Sequence, residues 1–318
     1  MSIIYIIHEN DEWVAPLKLA LDNIAAPYRE WHMGKGHFNI SERPPEGIFY
    51  NRMSASSHTR GHRFAPELTA VILPWLERHN RTVVNGSSAL NIELSKAQQQ
   101  MAFESHNIVT PKTLYAQNKE DIVSAAKHFS TPFIIKHNRA GKGLGVFLCT
   151  HQSDLLEHLQ SEQFSPSIDG IHLLQDYIQS PSQSIVRMEF VGGKFLYAVE
   201  VSTGGSFELC PADQCNIEGA FCPTNDTTLS QGPKFKIINH YQNPLIPHYE
   251  ALLETHNIQI AGIEYIVDAN GQSYAYDINT NTNYNSEAEK QAGIYGMKAI
   301  ASYLADLAQK KYPLGKAS

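Results

Sequence analysis

The sequence predicts a mixed α/β (α+β) chain, with a small parallel unit first and antiparallel sheet last. Up to about residue 85, short apolar runs alternate with amphipathic helical stretches, the pattern of parallel strands joined by crossovers. Further on, Gly192-Gly193 and Asn270-Gly271 each sit between strand-like runs, and such dipeptides favour the tight turns of hairpins. The 318 residues, 42% hydrophobic and 18% charged, leave room for two or three packed units.

In order along the chain, Ile3–Ile7 reads as a buried strand and Asp11–Leu21 as the amphipathic helix behind it. Strands at Ile48–Tyr50 and Thr82–Val84 flank a long helix over Ala65–His79, and this unit ends near Asn85-Gly86. A helix over Leu90–His106 follows and stops before Val109-Thr110-Pro111. Phe133–Lys136, Gly145–Cys149, Leu173–Ile178, Ile185–Val191 and Lys194–Val201 read as strands, with a helix over Ser153–Leu159. Residues 202–243, rich in Gly, Pro, Asn and Thr, read as irregular, and a loop of that length is usually functional. Helices are expected over Leu245–His256 and Glu287–Gln309, with a hairpin between them.

That hairpin carries the strongest chemical signal. With Asn270 and Gly271 at the turn, Glu264 falls opposite Asp277, and Asn279 points to the same face. Two carboxylates and an amide oxygen converge on one face with no cation among them. Adjacent carboxylates repel unless a cation lies between them, and hard oxygen ligands suit Mg²⁺. A solvated polar strand face is the plain alternative.

Residues His137 to Gly145 follow a strand that ends on Lys136. Gly141, Gly143 and Gly145 would let the backbone approach anionic oxygens, with Lys142 and Lys136 as nearby charges; a flexible hairpin loop is the alternative. The Gly-Lys-Ser/Thr ending of a Walker loop is absent, and a strand rather than a Rossmann helix follows. The strand end at Gln175, Asp176, Tyr177 and Ile178 has groups that can bond an adenine edge. Taking Gly192-Gly193 as the turn, Arg187 faces Ala198, with Glu189 on its face and Glu200 diagonal. Arg187 is then either an ion-pair member or free to meet a phosphoryl group.

A net charge of −7 without a Lys/Arg block argues against a nucleic-acid surface. The start of the chain lacks the basic region of a signal peptide, and no apolar run approaches the roughly 20 residues of a membrane span. Reduced thiols in a cytoplasmic protein are the expectation. Cys210, Cys215 and Cys222 cluster with His240 downstream, but not at the spacings of zinc knuckles; free thiols are the expected state.

Lys96, Lys136, the Gly141–Gly145 loop, Gln175-Asp176-Tyr177-Ile178, Arg187 and the Glu264…Asp277-Ile278-Asn279 ending occur in one order. Together they resemble an ATP-grasp enzyme of the ribosomal-protein glutamate ligase type, with glutathione synthetase as a cousin. The likeness covers about residues 85–305. It implies an ATP-grasp fold with three parts: an N-terminal parallel domain (1–88), a lid subdomain (89–178) and a C-terminal antiparallel subdomain holding the metal (179–318). It further implies ATP phosphates on Lys96 and Lys136, a glycine lid from Gly141, Gly143 and Gly145, and an adenine hinge over Gln175–Ile178. Mg²⁺, with Mn²⁺ as an alternative, would be held by Glu264, Asp277 and Asn279, and Arg187 would stabilise the phosphoryl group. The chain departs from the family pattern in three places. The metal carboxylates usually run Asp then Glu; Ile185 stands where an acidic residue is common; and Thr280–Asn285 replaces a small-Pro-Gly segment.

The implied reaction is carboxylate–amine ligation through an acyl phosphate, on small amino-acid-like substrates. A phosphotransferase on the same fold and a non-catalytic nucleotide-binding regulator are the alternatives; a homo-oligomer is allowed for. The loop after Ile48–Tyr50, at the sheet edge where α/β ligands bind, offers Arg52, Ser54, His58 and Arg60 as substrate contacts. Arg52 and Arg60 are expected to hold a substrate carboxylate bidentately, with Asn283 near the acceptor.

Overall fold

The fold is described from a computed structural model, which covers residues 2–141, 143, 145–203 and 234–311. Lys142 and the segment with Cys210, Cys215 and Cys222 lie outside the described residues.

The N-terminal unit is a parallel four-stranded sheet: β1 (Ile4–His8), β2 (Tyr28–His32), β3 (Ile48–Asn51) and β4 (Thr82–Val84), in the order β2-β1-β3-β4. Helix α1 (Asp11–Asn23) follows β1, and α2 (Ala65–Arg78) precedes β4. Asn10 caps α1, its side chain accepting the N–H groups of Glu12 and Trp13 at 3.0 and 3.1 Å. Alternation sends Ile4 and Ile6 into one core with Val14 and Leu17, and Tyr5 and Ile7 into another with Ile72 and Leu76. β2 was not anticipated; its Tyr-Arg-Glu-Trp-His run is only partly buried and lacks an apolar signature.

The expected helix over 90–106 divides into α3 (Ser87–Leu94) and α4 (Lys96–Ser105). Ser95 is extended (φ −143°, ψ 109°) and caps α4 by accepting the Gln98 N–H. The apolar periodicity runs through both helices and conceals the break, whereas Asn138 secures it by accepting the Lys96 and Ala97 N–H groups. A second, antiparallel sheet follows, β5-β8-β6-β7, from β5 (Thr113–Ala116), α5 (Lys119–Ala126), β6 (Phe133–His137), β7 (Phe147–Cys149), α6 (Gln152–Gln160) and β8 (His172–Asp176). β5 and α5 were also unanticipated.

The third sheet, β11-β10-β9-β12-β13, is antiparallel. It comprises β9 (Ser184–Val191), β10 (Lys194–Ser202), β11 (Phe235–Ile238), β12 (Ile260–Val267) and β13 (Ser273–Asn279), with α7 (Ile246–Thr255) before β12. β11 corrects the reading of 202–243 as wholly irregular. A shift between Phe195 and Tyr197 pairs Arg187 with Val199 rather than Ala198, and sends Glu200 opposite Val186, away from Arg187. The terminal helix divides at Gly293 (φ +71°) into α8 (Ser286–Ala292) and α9 (Gly296–Lys311). α9 returns to the first sheet: Ile300, Ala301 and Leu304 share a core with Ile4, Ile6 and Tyr50.

Glu264 does lie opposite Asp277, by a different route from the one expected. The tip closes with the Asp268 N–H donating to the Gln272 carbonyl, and Gly271 takes φ +81°, a three-residue loop rather than a two-residue turn. That moves the register by one near the tip, so that Tyr265 pairs with Ala275. A bulge between Tyr265 and Glu264 then restores the pairing.

Candidate active site

A cavity of about 410 Å³ lies between the second and third sheets and is bordered by the N-terminal unit. Lys136 and Gln175 approach from β6 and β8; Arg187, Glu264 and Asp277 from β9, β12 and β13; and Lys96 from the first residue of α4. Gly141, Gly143, Asp176, Tyr177, Ile178 and Asn279 of the expected set line it as well, whereas Gly145 does not, and Ser54 and Asn283 border the same space. Gly143 and Gly145 have φ of +73° and +71°, and a methyl built on Gly145 would fall 2.6 Å from the His137 ring, so this loop conformation needs glycine there.

The polar groups interlock. Arg187, 3% exposed, donates through Nε to Glu189 (2.6 Å), through Nη1 to Glu264 (3.2 Å) and through Nη2 to Thr282 Oγ1. Burial opposes its charge, but Glu189 and Glu264 outweigh that and raise its pKa. Lys96 forms an ion pair with Asp277. Burial works against this ammonium too, yet Asp277, Glu264 and Glu93 hold its pKa above the usual lysine value. Lys136 Nζ donates to Gln175 Oε1 at 2.8 Å, and Gln175 donates onward to Thr113 Oγ1. Burial and the nearby Lys96 charge bring Lys136 down to about 7. Glu264 is pushed up by burial and by Asp277, against the pull of Arg187, and accepts a hydrogen bond from the Tyr276 hydroxyl at 3.1 Å.

The expectation that no cation sits among the metal-type ligands is therefore corrected. Lys96 reaches Asp277 from 181 residues away in sequence and Arg187 meets Glu264 across the sheet. Neither was visible in the hairpin itself. Glu264, Asp277 and Asn279 still line one cavity and offer the hard oxygens that Mg²⁺ takes, with Lys96 already marking where positive charge is favoured.

Arg52 and Arg60 do not converge on a ligand, and neither they nor His58 line the cavity. Arg52, 1% exposed, donates Nε to Asn281 Oδ1 (2.9 Å) and Nη2 to the Thr282 carbonyl (3.1 Å) and Asn283 Oδ1 (2.9 Å). Arg60 forks onto Glu9 and lies 4.4 Å over the Trp13 ring. Polar loop composition could not separate a guanidinium aimed at a ligand from one consumed by the fold.

Sequence reasoning also missed Glu93, Trp13 and Asn281, all of which border the cavity. Glu93 accepts from the Thr280 and Ala55 N–H groups, and burial pushes it up to about 7. Its only local signal was a carboxylate one helical turn before Lys96.

Three sheets around this cavity define the class of fold, which is that of the ATP-grasp proteins. Within that class, residues 93–209 match the model of the RimK-like ATP-grasp domain. Over 110 residues the chain is 27% identical to the alpha-aminoadipate–LysW ligase LysX of Sulfolobus acidocaldarius, covering 34% of this chain. It spans 40% of that relative's length. A RimK domain ATP-grasp protein from Sphaerobacter thermophilus superposes with a TM-score of 0.63 at 14% identity, covering 94% of this chain and 99% of that one. D-cycloserine synthetase DcsG gives 0.65 at 13% identity, covering 96% and 99%. ATP-grasp ligase PsnB, solved with a minimal precursor, Mg and ADP, gives 0.64 at 11% identity, covering 96% and 97%. At these identities the likeness establishes the fold.

Proposed function

We propose that this chain is an ATP-dependent ligase that joins a carboxylate to an amine through an acyl phosphate, releasing ADP and phosphate, with amino-acid or small-peptide substrates. The observation that carries this reading is the meeting of Lys96, Lys136 and Arg187 with Glu264 and Asp277 in one cavity. Such a set neutralises a polyphosphate from one side and supplies metal ligands from the other. The matched relative is named a ligase, and the solved neighbours include ligases and synthetases.

In this reading Lys96 and Lys136 bind ATP phosphates, Gly141, Gly143, Gly145 and Lys142 close over them, and Gln175–Ile178 frame the adenine. Because the Gln175 amide is already engaged by Lys136 and Thr113, the adenine contact falls to the backbone at 175–178. Mg²⁺, or Mn²⁺, on Glu264, Asp277 and Asn279 supplies electrostatic neutralisation of the phosphates. The γ-phosphoryl group passes to a substrate carboxylate oxygen and ADP leaves. The amine then attacks the acyl carbon, loses a proton, and inorganic phosphate departs. Arg187, locked by Glu189 and Thr282, holds positive charge where the phosphoryl oxygens develop negative charge. Ser54 and Asn283 face the substrates, while Arg52 and Arg60 act by holding the walls. The functional units are 1–88, 89–178 and 179–318, and the site of action is the cytoplasm.

Phosphate release screened over pairs of amino acids with Mg-ATP, with mass spectrometry of the product, tests this. An amide product with stoichiometric ADP and phosphate is expected. A stable phosphorylated substrate without free phosphate would make the chain a phosphotransferase, and no turnover on any pair would favour a regulator. Asp277→Asn should lower ADP formation by at least roughly 100-fold; turnover at the normal rate would show the metal ligands to be misassigned.

A further inference from the structure

We propose that His8, Asp11 and His32 form a binding site for a divalent transition metal of the zinc, cobalt and nickel type, separate from the oxygen-lined cavity. His8 closes β1 and His32 closes β2, and the two are direct partners across the parallel ladder, so both rings leave one face of the sheet. Asp11 opens α1 three residues after His8. One ligand atom from each of the three lies within 4.8 Å of the other two, and no other His/Cys/Asp/Glu trio among the described residues meets that condition.

His8 itself is the second observation. It is 1% exposed, and neither ring nitrogen has a hydrogen-bond partner. The Glu30 carboxylate comes within 3.3 Å of Nε2 but outside hydrogen-bonding geometry. Leaving a buried polar atom unmet is unfavourable, and a metal on one nitrogen offsets that.

Two imidazoles and a carboxylate are ligands that zinc-type ions favour, whereas magnesium prefers oxygen alone. Glu30 is the nearest carboxylate for a fourth position. The cation now facing Asp11 is Lys35, 3.7 Å away on a side chain 70% exposed, which a divalent ion displaces readily. His32 Nδ1 accepts the Gly34 N–H at 3.1 Å, while its Nε2 faces Asp11 at 3.9 Å. Metal on Nε2 places the ring proton on Nδ1 and breaks the Gly34 contact, so loading rearranges residues 32–34. A bound ion would cross-link β1, β2 and the start of α1, two residues before the cavity-lining Trp13.

Equilibrium dialysis and visible absorption with Co²⁺, on the full chain without nucleotide, test the site. One cobalt per chain with d–d absorption is expected, competed by Zn²⁺ and not by Mg²⁺. His8→Gln and His32→Asn should each weaken binding by on the order of 100-fold, and Asp11→Asn, at an exposed position harmless to folding, by roughly tenfold. The Gly34 amide resonance should move on loading in the parent chain. Asp277→Asn, and Ser replacing Cys210, Cys215 and Cys222 together, should leave binding unchanged. Absence of stoichiometric binding, unchanged affinity in His32→Asn and Asp11→Asn, or loss of binding in the Asp277 or Cys variants would each overturn the proposal. Circular dichroism of every variant separates lost binding from lost fold.

Discussion

Lys136 carries an amine into a place where a positive charge is disfavoured, 5% exposed and close to Lys96. Its folded pKa of about 7 lies below the ordinary 10.5. Between those values the unfolded chain holds a proton that the native chain has lost, so this group makes stability rise with pH across that window, and the gain disappears as pH falls to about 7. Denaturant midpoints measured from pH 7 to 10 should therefore rise in the parent relative to Lys136→Met; parallel curves would contradict the assignment. A bound triphosphate favours the ammonium, so nucleotide binding should weaken as pH climbs above 7, with proton uptake visible by calorimetry in buffers of different ionisation enthalpy. Arg52 behaves differently. Arg52→Ala strands the Asn281, Thr282 and Asn283 oxygens in a buried junction, and a loss of about 3 kcal/mol of stability is expected. A change confined to substrate KM would instead restore Arg52 as a substrate ligand.

At the level of elements, a glycine and two bulges set the chemistry. Gly262 pairs with Glu189 across β12 and β9, and a methyl built on it would lie 2.5 Å from Arg187 Nη2. The missing side chain is the room in which the guanidinium lies flat against its carboxylates. Gly262→Ala should displace Arg187, lower kcat with little change in nucleotide affinity, and lower stability by about 1–3 kcal/mol. Unaltered kcat would remove Arg187 from the reaction. The bulges act on register: one moves Arg187 to Val199, and the other returns Asp277 to Glu264. Each is a single extra residue that hairpin counting from the turn does not see.

Across the whole molecule, the first and third sheets are joined by a buried polar knot and a shared core. Asn85, 0% exposed at φ +58°, donates Nδ2 to the Ile260 and Thr280 carbonyls at 2.8 and 2.9 Å, and its Oδ1 accepts the Gln259 and Ile260 N–H groups. Its side chain thus replaces a strand's worth of backbone partners. Asn85→Ala leaves those groups unmet in a left-handed conformation alanine disfavours. A loss of about 3 kcal/mol and a lower thermal midpoint are expected; a midpoint within a degree or so of the parent would show the knot to be dispensable. With α9 packed on the N-terminal sheet, the end of the chain belongs physically to its beginning. No helix among the described residues is long and apolar enough to cross a membrane.

What the sequence determined alone is what depends on near neighbours. Strand periodicity, the glycine-rich loop after Lys136 and the pairing of Glu264 with Asp277 all arise within about fifteen residues of chain, where backbone geometry leaves few choices. Even there, β2 and β5 escaped because their half-buried strands carry little alternation, and the Ser95 break escaped because apolar spacing continued through it. Only the tertiary structure decided which partners the charged groups meet: Lys96 with Asp277, Glu93 with Thr280, Arg52 with Asn281. Such partners lie some 180 to 230 residues apart. Whether a guanidinium faces a ligand or a wall depends on burial and packing that local composition does not encode.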